Sequence, residues 1–445
     1  MAHVVCITTS LAGLLYASCE LLRRLEADGH QVTYASPDEI EDIIHAQGFA
    51  FHQLPRSGLR DLQDQDRKQS KAQRLKKWFQ RRETALKSLG VDDFHQDLKA
   101  LKPDLLLIDL ELHQHIISAV PTGVPVALLS PFYSIWKHPS VPPLHYTNEP
   151  GKGTDGSPLQ IELTWLKYRI WKFRQRWKDY NKLVGIDSIS VFRILAKKTG
   201  FRFRANTELH QWLIPFMFRS LPTLCLRALE AEFPHQPRSI HHYVGPMINL
   251  SRNDRPTPPE LTALLEKHKN SAPEKKLIYC AFSSVRSFGD DLDFLKRIIA
   301  AVAEHPEWDL IVGMGGHELS DELKDLPEQI HLFKWAPQLE VLRHADAAIV
   351  HGGVNSYDEC ISEGVPMVVF SHEVVDMPGT RVRMIHHGVA IAGDRAKDNP
   401  EIIRKHLTYI LENEEMHKRV HDMREKFEAH RSEKRAEKIV QSLLQ

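Results

Sequence analysis

One stretch of the chain is dense in groups that could hold a phosphate-bearing ligand: Trp335-Ala-Pro-Gln338, followed by Ala347-Ala-Ile-Val-His351-Gly-Gly353-Val-Asn355-Ser356-Tyr-Asp-Glu359. The apolar run before His351 reads as a buried strand, and the residues from Val354 read as a helix that Gly364 closes. A strand, a glycine turn and a helix in that order aim unpaired backbone N–H groups, and the positive end of a helix dipole, at the carboxyl edge of a sheet. Phosphates bind at such places. Gly352 and Gly353 permit close backbone approach, and His351 can donate a hydrogen bond to a diphosphate. Asn355, Ser356 and Glu359 share one helix face by their three- and four-residue spacings, which offers an amide, a hydroxyl and a carboxylate together.

A second reactive group follows another apolar run. Asp109 ends Pro103-Asp-Leu-Leu-Leu-Ile-Asp109, and Glu111, His113 and His115 follow at alternate positions. Carboxylates and imidazoles at a strand's carboxyl edge can act as general bases. The alternation could also suit a metal, but no further ligand cluster accompanies it and none is inferred. Asp109 has a structural reading as well, since aspartate at a strand end commonly caps a local turn.

The elements that must position these groups come as two α/β series. His3-Val-Val-Cys-Ile-Thr, Gln31-Val-Thr-Tyr-Ala, the run ending at Asp109 and Val124-Pro-Val-Ala-Leu-Leu-Ser130 predict the first set of parallel strands, with helical spacing between them. Ser36-Pro37-Asp38-Glu39 stands in capping-box order and predicts a helix starting there. From Pro131 to about Phe233 the alternation gives way to aromatic, charged helical stretches. Asn249 to Pro259 has the polar, proline-bearing composition of a linker. A second series then follows with strands at Leu277-Ile-Tyr-Cys-Ala-Phe, Asp309-Leu-Ile-Val-Gly, Ala347–Val350 and Val365-Pro-Met-Val-Val-Phe370.

At 445 residues the chain suits two domains. Its 58 basic residues match its 58 acidic ones, which argues against nucleic acid as a partner. Five scattered cysteines suggest buried thiols in a reducing compartment. With no signal-peptide pattern and no apolar run near the ~20 residues needed to span a bilayer, the expectation is a cytoplasmic protein. One segment qualifies it: Leu163, Leu166, Ile170, Phe173 and Trp177 recur at helical spacing among basic residues, so 163–178 reads either as a helix packed on the first domain or as a peripheral contact with an anionic membrane. The basic run Lys71 to Arg82 reads as a solvated helix face or loop.

From Trp335 to Asp376 the sequence resembles the UDP-glycosyltransferase superfamily, with its Trp-Ala-Pro-Gln, His-x-Gly-x-Asn-Ser-x-x-Glu and closing acidic residue. The resemblance implies an α/β GT-B fold: two doubly wound Rossmann-like domains facing across a cleft. It also implies that Trp335 stacks on uracil, Gln338 contacts the nucleoside, His351, Gly353, Asn355 and Ser356 hold the diphosphate, and Glu359 binds the ribose hydroxyls. Ser284 would be a further phosphate contact, and Asp376 would grip the sugar, with Met377 where the family has glutamine. The family's general-base histidine is missing, because its position counts to Leu14, after Gly13. Asp109, Glu111 or His113 is left as the base.

The implied layout is an acceptor domain at 1–247 with a helical insertion at about 131–233, a linker at 248–260, a donor domain at 261–430, and a helix at 431–445 packing back on the first domain. The implied activity is inverting transfer of a hexose, with UDP-glucose the leading donor, to a small lipophilic or aromatic natural-product acceptor, without metal or cofactor. A catalytically silent nucleotide-binding or partner protein is the alternative reading; a UDP-sugar epimerase is more distant.

Overall fold

The computed structural model describes the chain except residues 146–156, 210–214, 251, 253–255, 283–291, 318–322, 324–325, 373–375 and 445. Two parallel sheets dominate it. The first is built from β1 (His3–Ile7), β2 (Gln31–Ser36), β3 (Ala50–Gln53), β4 (Leu105–Asp109) and β5 (Val126–Ser130). A two-stranded antiparallel ribbon, β6 (Thr207–Glu208) and β7 (Met217–Phe218), lies apart, and β8 (Thr223–Cys225) and β9 (His241–Tyr243) complete the first sheet in the order β3-β2-β1-β4-β5-β8-β9. The second comprises β10 (Lys276–Ala281), β11 (Trp308–Gly313), β12 (Ile330–Phe333), β13 (Ala347–Val350), β14 (Met367–Val369) and β15 (Ala390–Ala392), in the order β12-β11-β10-β13-β14-β15.

Both orders reverse direction beside the first strand, at β1/β4 and at β10/β13. In a parallel sheet those switch points leave a crevice beyond the strands' carboxyl ends, where connections depart to opposite faces. Asp109 ends β4 and His351 follows β13, so both reactive groups sit at switch points. The central strands are buried on both faces, from Val4 to Ile7 and from Leu105 to Asp109, which is why they read as unbroken apolar runs. The edge strands β3, β9, β12 and β15 carry mixed, partly exposed residues and gave no comparable signal.

One local reading changes, and two segments take one of the forms expected of them. The helix expected at Ser36 begins at Glu41, because the Ser36 hydroxyl donates to the Thr8 carbonyl while accepting from the Asp38 N–H, and Asp38 in turn accepts from the Ser10 N–H at 2.7 Å. The helix Pro158–Leu183 packs on the first half through Ile161, Trp165, Tyr168 and Lys172, with the Trp165 indole donating to the Val141 carbonyl. The stripe from Leu163 to Trp177 faces outward. The basic run forms two helices, Lys71–Lys76 and Trp78–Lys87. At the other end, the helix Arg435–Leu443 buries Ala436 and Val440 against the helix Ala12–Ala27, and Lys434 reaches Asp28 at 2.7 Å. All five cysteines are buried and free.

Candidate functional site

The glycine turn after β13 has the geometry that its sequence demands. Gly352 has φ 97°, and a Cβ there would come within 2.9 Å of the Ser371 Cβ. Gly353 caps the helix Val354–Glu363, and a Cβ on it would lie 2.8 Å from His351 Nε2, so the imidazole rests on the helix's N-terminal turn. His351 Nδ1 lies 3.3 Å from the Ala281 carbonyl. A carbonyl can only accept, so the Nδ1 proton points there and Nε2 faces the turn. Burial lowers the ring's pKa to about 4, which keeps it neutral near pH 7.

Trp335 lies against Gly316, whose φ of 94° brings its backbone under the indole, and the ring remains 37% exposed. Gln338, three residues on, donates from Nε2 to Glu359 Oε2 at 2.6 Å. The other carboxylate oxygen accepts from Arg252 at 3.1 Å, and the Arg252 guanidinium lies 4.9 Å from the ring of Tyr16 on the first half. A cavity lined by Tyr16, Met247, Asn355 and Glu359 opens at this place. The Tyr16 ring, the Arg252 guanidinium, the Gln338 amide and the buried Glu359 carboxylate thus form one chain of contacts from four separate segments.

Asn355 and Asp358 are tied to the first half by one side chain. Arg227, two residues beyond β8 and fully buried, donates to Asn355 Oδ1 at 2.8 Å, to Asp358 Oδ2 at 2.6 Å and to the Pro131 carbonyl at 2.7 Å. Burial pushes the Asp358 carboxyl up, and Arg227 opposes that shift. A second buried pair joins Arg383 to Glu232 at 2.6 Å. Between them, the Gly379 N–H donates to the Leu144 carbonyl at 2.8 Å, which brings backbone against backbone across the two halves. Asp376 immediately precedes the helix Met377–His386, which carries Gly379 and Arg383, and burial raises its carboxyl to about 6.

On the first half, Asp109 is 2% exposed and accepts from the Thr9 hydroxyl and the Glu111 N–H, each at 2.9 Å. Burial lifts its pKa to about 6, and the field of Asp38 adds to the lift. Leu14 lies on the inward face of its helix at 2% exposure, so the chain segment that reaches Asp109 is the β1 end, at Thr9. His113 is corrected as a base: Nδ1 and Nε2 each lie 2.8 Å from a carbonyl, of Glu111 and Phe216, with Phe192 stacked on the ring. Burial also lowers the pKa of His115, to about 4. Glu111 is half-buried beside Asp109. Among the described residues no group of His, Cys, Asp and Glu could hold a metal. Ser284 lies outside the described residues.

Residues 297–444 match the family described as erythromycin biosynthesis protein CIII-like, C-terminal domain. The whole chain aligns with oleandomycin glycosyltransferase of Streptomyces antibioticus at 23% identity, covering 91% of that protein. Its fold matches the solved glycotransferase of kitacinnamycin over 100% of this chain and 99% of that one, at 19% identity and TM-score 0.72. It also matches the glycosyltransferase VinC, solved with dTDP, over 99% and 98% at 16% identity and TM-score 0.61. The chain is a glycosyltransferase of the GT-B fold. In this glycosyltransferase the sequence pointed to Trp335, Gln338, His351, Asn355 and Glu359; the fold joins Gln338 to Glu359 by a hydrogen bond and sets His351 on the helix that carries Asn355 and Glu359. Arg227, Arg252, Tyr16 and Thr9 were missed. Arg227 had a faint signal, lying just past a strand's carboxyl end. Arg252 had none, because it sits in a linker-like run and its partners Glu359 and Tyr16 lie far away in the chain.

Proposed function

We propose that this glycosyltransferase moves a hexose from a UDP-sugar, with UDP-glucose the leading donor, to a small lipophilic or aromatic natural-product acceptor with inversion. On this reading residues 1–247 hold the acceptor and 261–430 the donor, the two being joined by the linker 248–260. Trp335 stacks on uracil, Gln338 holds the nucleoside, the turn from His351 to Ser356 takes the diphosphate, and Asp376 takes the sugar.

The observation that carries the reading is the buried Glu359 carboxylate, with one oxygen on Gln338, three residues beyond Trp335, and the other on Arg252. A carboxylate held there can accept from both ribose hydroxyls, and a deoxyribose would leave one of its lone pairs unmatched. Ribose, and therefore UDP, is favoured over dTDP. Asp109, with its pKa lifted toward neutrality, is the base that takes the acceptor's proton as the sugar–phosphate bond breaks, and Thr9 orients it. The name of the oleandomycin relative supports a macrolide-like acceptor.

Nucleotide binding without turnover is the second reading, favoured by Arg252 already bridging Tyr16 and Glu359 across the cavity. One experiment separates the two. UDP release is measured from purified protein with UDP-glucose or dTDP-glucose, with and without a panel of phenols, carboxylic acids, amines and apolar alcohols. Acceptor-dependent release with UDP-glucose supports transfer. UDP binding without release from any acceptor overturns it.

A further inference from the structure

The helix Pro158–Leu183 has two apolar faces and buries only one of them. Its outer face carries Leu159, Leu163, Leu166, Ile170, Phe173, Trp177 and Tyr180, which alternate at four- and three-residue steps and are each between 44% and 72% exposed. At ~1.5 Å per residue that stripe runs about 30 Å along one side of the helix. Single exposed apolar residues are ordinary, but a continuous stripe marks an interaction surface. The patch extends beyond the helix. Arg74 donates to the Lys182 carbonyl, and Arg81 donates to the carbonyls of Leu183 and Val184, so the helices Lys71–Lys76 and Trp78–Lys87 adjoin its end. They bring Leu75 at 52% and Phe79 at 85% exposure.

Charge decides what covers this surface. The helix Pro158–Leu183 holds seven Lys and Arg against two acidic residues, and 71–87 holds seven against one, in a chain whose total is balanced. Lys167, Arg174 and Lys178 border the stripe on one side and Arg169 on the other, all of them exposed. Stripe against stripe, a second copy would set these cations face to face, so the charge selects an anionic surface. An apolar stripe ending in Phe, Trp and Tyr and edged by Lys and Arg suits the headgroup boundary of a bilayer, where aromatic rings and basic side chains both settle. Among the described residues no helix is long and apolar enough to cross a membrane, so this one would lie along the surface.

We propose that the outer face of Pro158–Leu183, with Leu75 and Phe79 beside its end, seats the protein on an anionic lipid bilayer. The test is co-sedimentation of the full chain with vesicles of phosphatidylcholine alone, or of phosphatidylcholine mixed with phosphatidylglycerol, in low salt and in ~0.5 M salt. The expected result is binding to the anionic vesicles at least about tenfold above binding to the neutral ones, most of it lost at high salt. A Phe173→Ser, Trp177→Ser variant and a separate Lys167→Glu, Arg174→Glu variant are each expected to lose that binding while melting like the parent. Equal binding by parent and variants overturns the proposal, as does no binding at low salt. Concentration-dependent dimerisation that the same substitutions abolish, without vesicle binding, would assign the face to a second copy and overturn it too.

Discussion

Arg227 and Asp358 meet at 2.6 Å with neither side chain exposed to water, one from the first sheet's strand end and the other from the helix that carries Asn355 and Glu359. A charge pair buried this deeply is retained at a desolvation cost, and removing one partner leaves the other stranded. Because the same guanidinium also holds Asn355, the pair couples the relation of the two halves to the shape of the candidate donor site.

Arg227→Ala is therefore expected to destabilise the protein by about 3–5 kcal/mol. Combining Arg227→Met with Asp358→Leu should cost much less, since no uncompensated charge remains. Urea denaturation of the parent, single and double variants checks this. A single variant as stable as the parent would show that the pair does not hold the halves.

At the ribose end, Glu359→Ala is expected to abolish discrimination between UDP and 2′-deoxy-UDP, which in the parent should be about tenfold. Trp335→Ala should weaken both nucleotides alike, by about 1–3 kcal/mol, because stacking ignores the 2′-hydroxyl. Titration calorimetry with the two nucleotides distinguishes these patterns.

His351 yields a prediction about protons. Its Nδ1 proton points at the Ala281 carbonyl and the ring is neutral near pH 7, so Nε2 must gain a proton before it can donate to a phosphate oxygen. Nucleotide diphosphate binding at pH 7 is expected to take up close to one proton, read from calorimetry in buffers of different ionisation enthalpy. His351→Ala should remove that uptake. Proton-neutral binding by the parent would place the diphosphate away from His351.

Asp109 has a folded-state pKa near 6, above its ordinary value of 3.8. Between about pH 4 and pH 6 the folded chain holds more protons at this residue than the unfolded chain does, so stability rises as pH falls through that window. Above pH 6 the cost of the buried carboxylate is fully present. Asp109→Asn should therefore be more stable at pH 7, by on the order of 1–3 kcal/mol, yet slower by about 10²–10⁴-fold on an alcohol acceptor. Activity of the parent should fall as pH drops through 6. Asp376 titrates in the same range, so the stability difference between parent and Asp109→Asn, followed against pH, isolates Asp109.

Gly379→Ala tests the contact between the halves sterically. A Cβ there would lie 2.3 Å from the Leu144 carbonyl oxygen and 2.4 Å from its Cα, and backbone cannot rotate aside as a side chain can. Destabilisation of about 3 kcal/mol or more is expected by thermal or urea unfolding. A neutral result would mean that the two halves separate here at little cost.

The sequence alone determined the buried strands and the glycine turn, because a strand covered on both faces must be apolar throughout and a backbone at φ 97° packed against Ser371 must be glycine. It also determined the relation of His351, Asn355 and Glu359, since their spacing places them within one strand, turn and helix, with Trp335 and Gln338 on the segment just before that strand. Tertiary structure decided everything that joins distant segments. Arg227 meets Asp358 across 131 positions and Arg252 meets Glu359 across 107, and no local pattern encodes either meeting. It also decided which face of Pro158–Leu183 turns inward. Both faces repeat at helical spacing, and only the presence of Val141 beside Trp165, a partner for a buried indole N–H, selects between them.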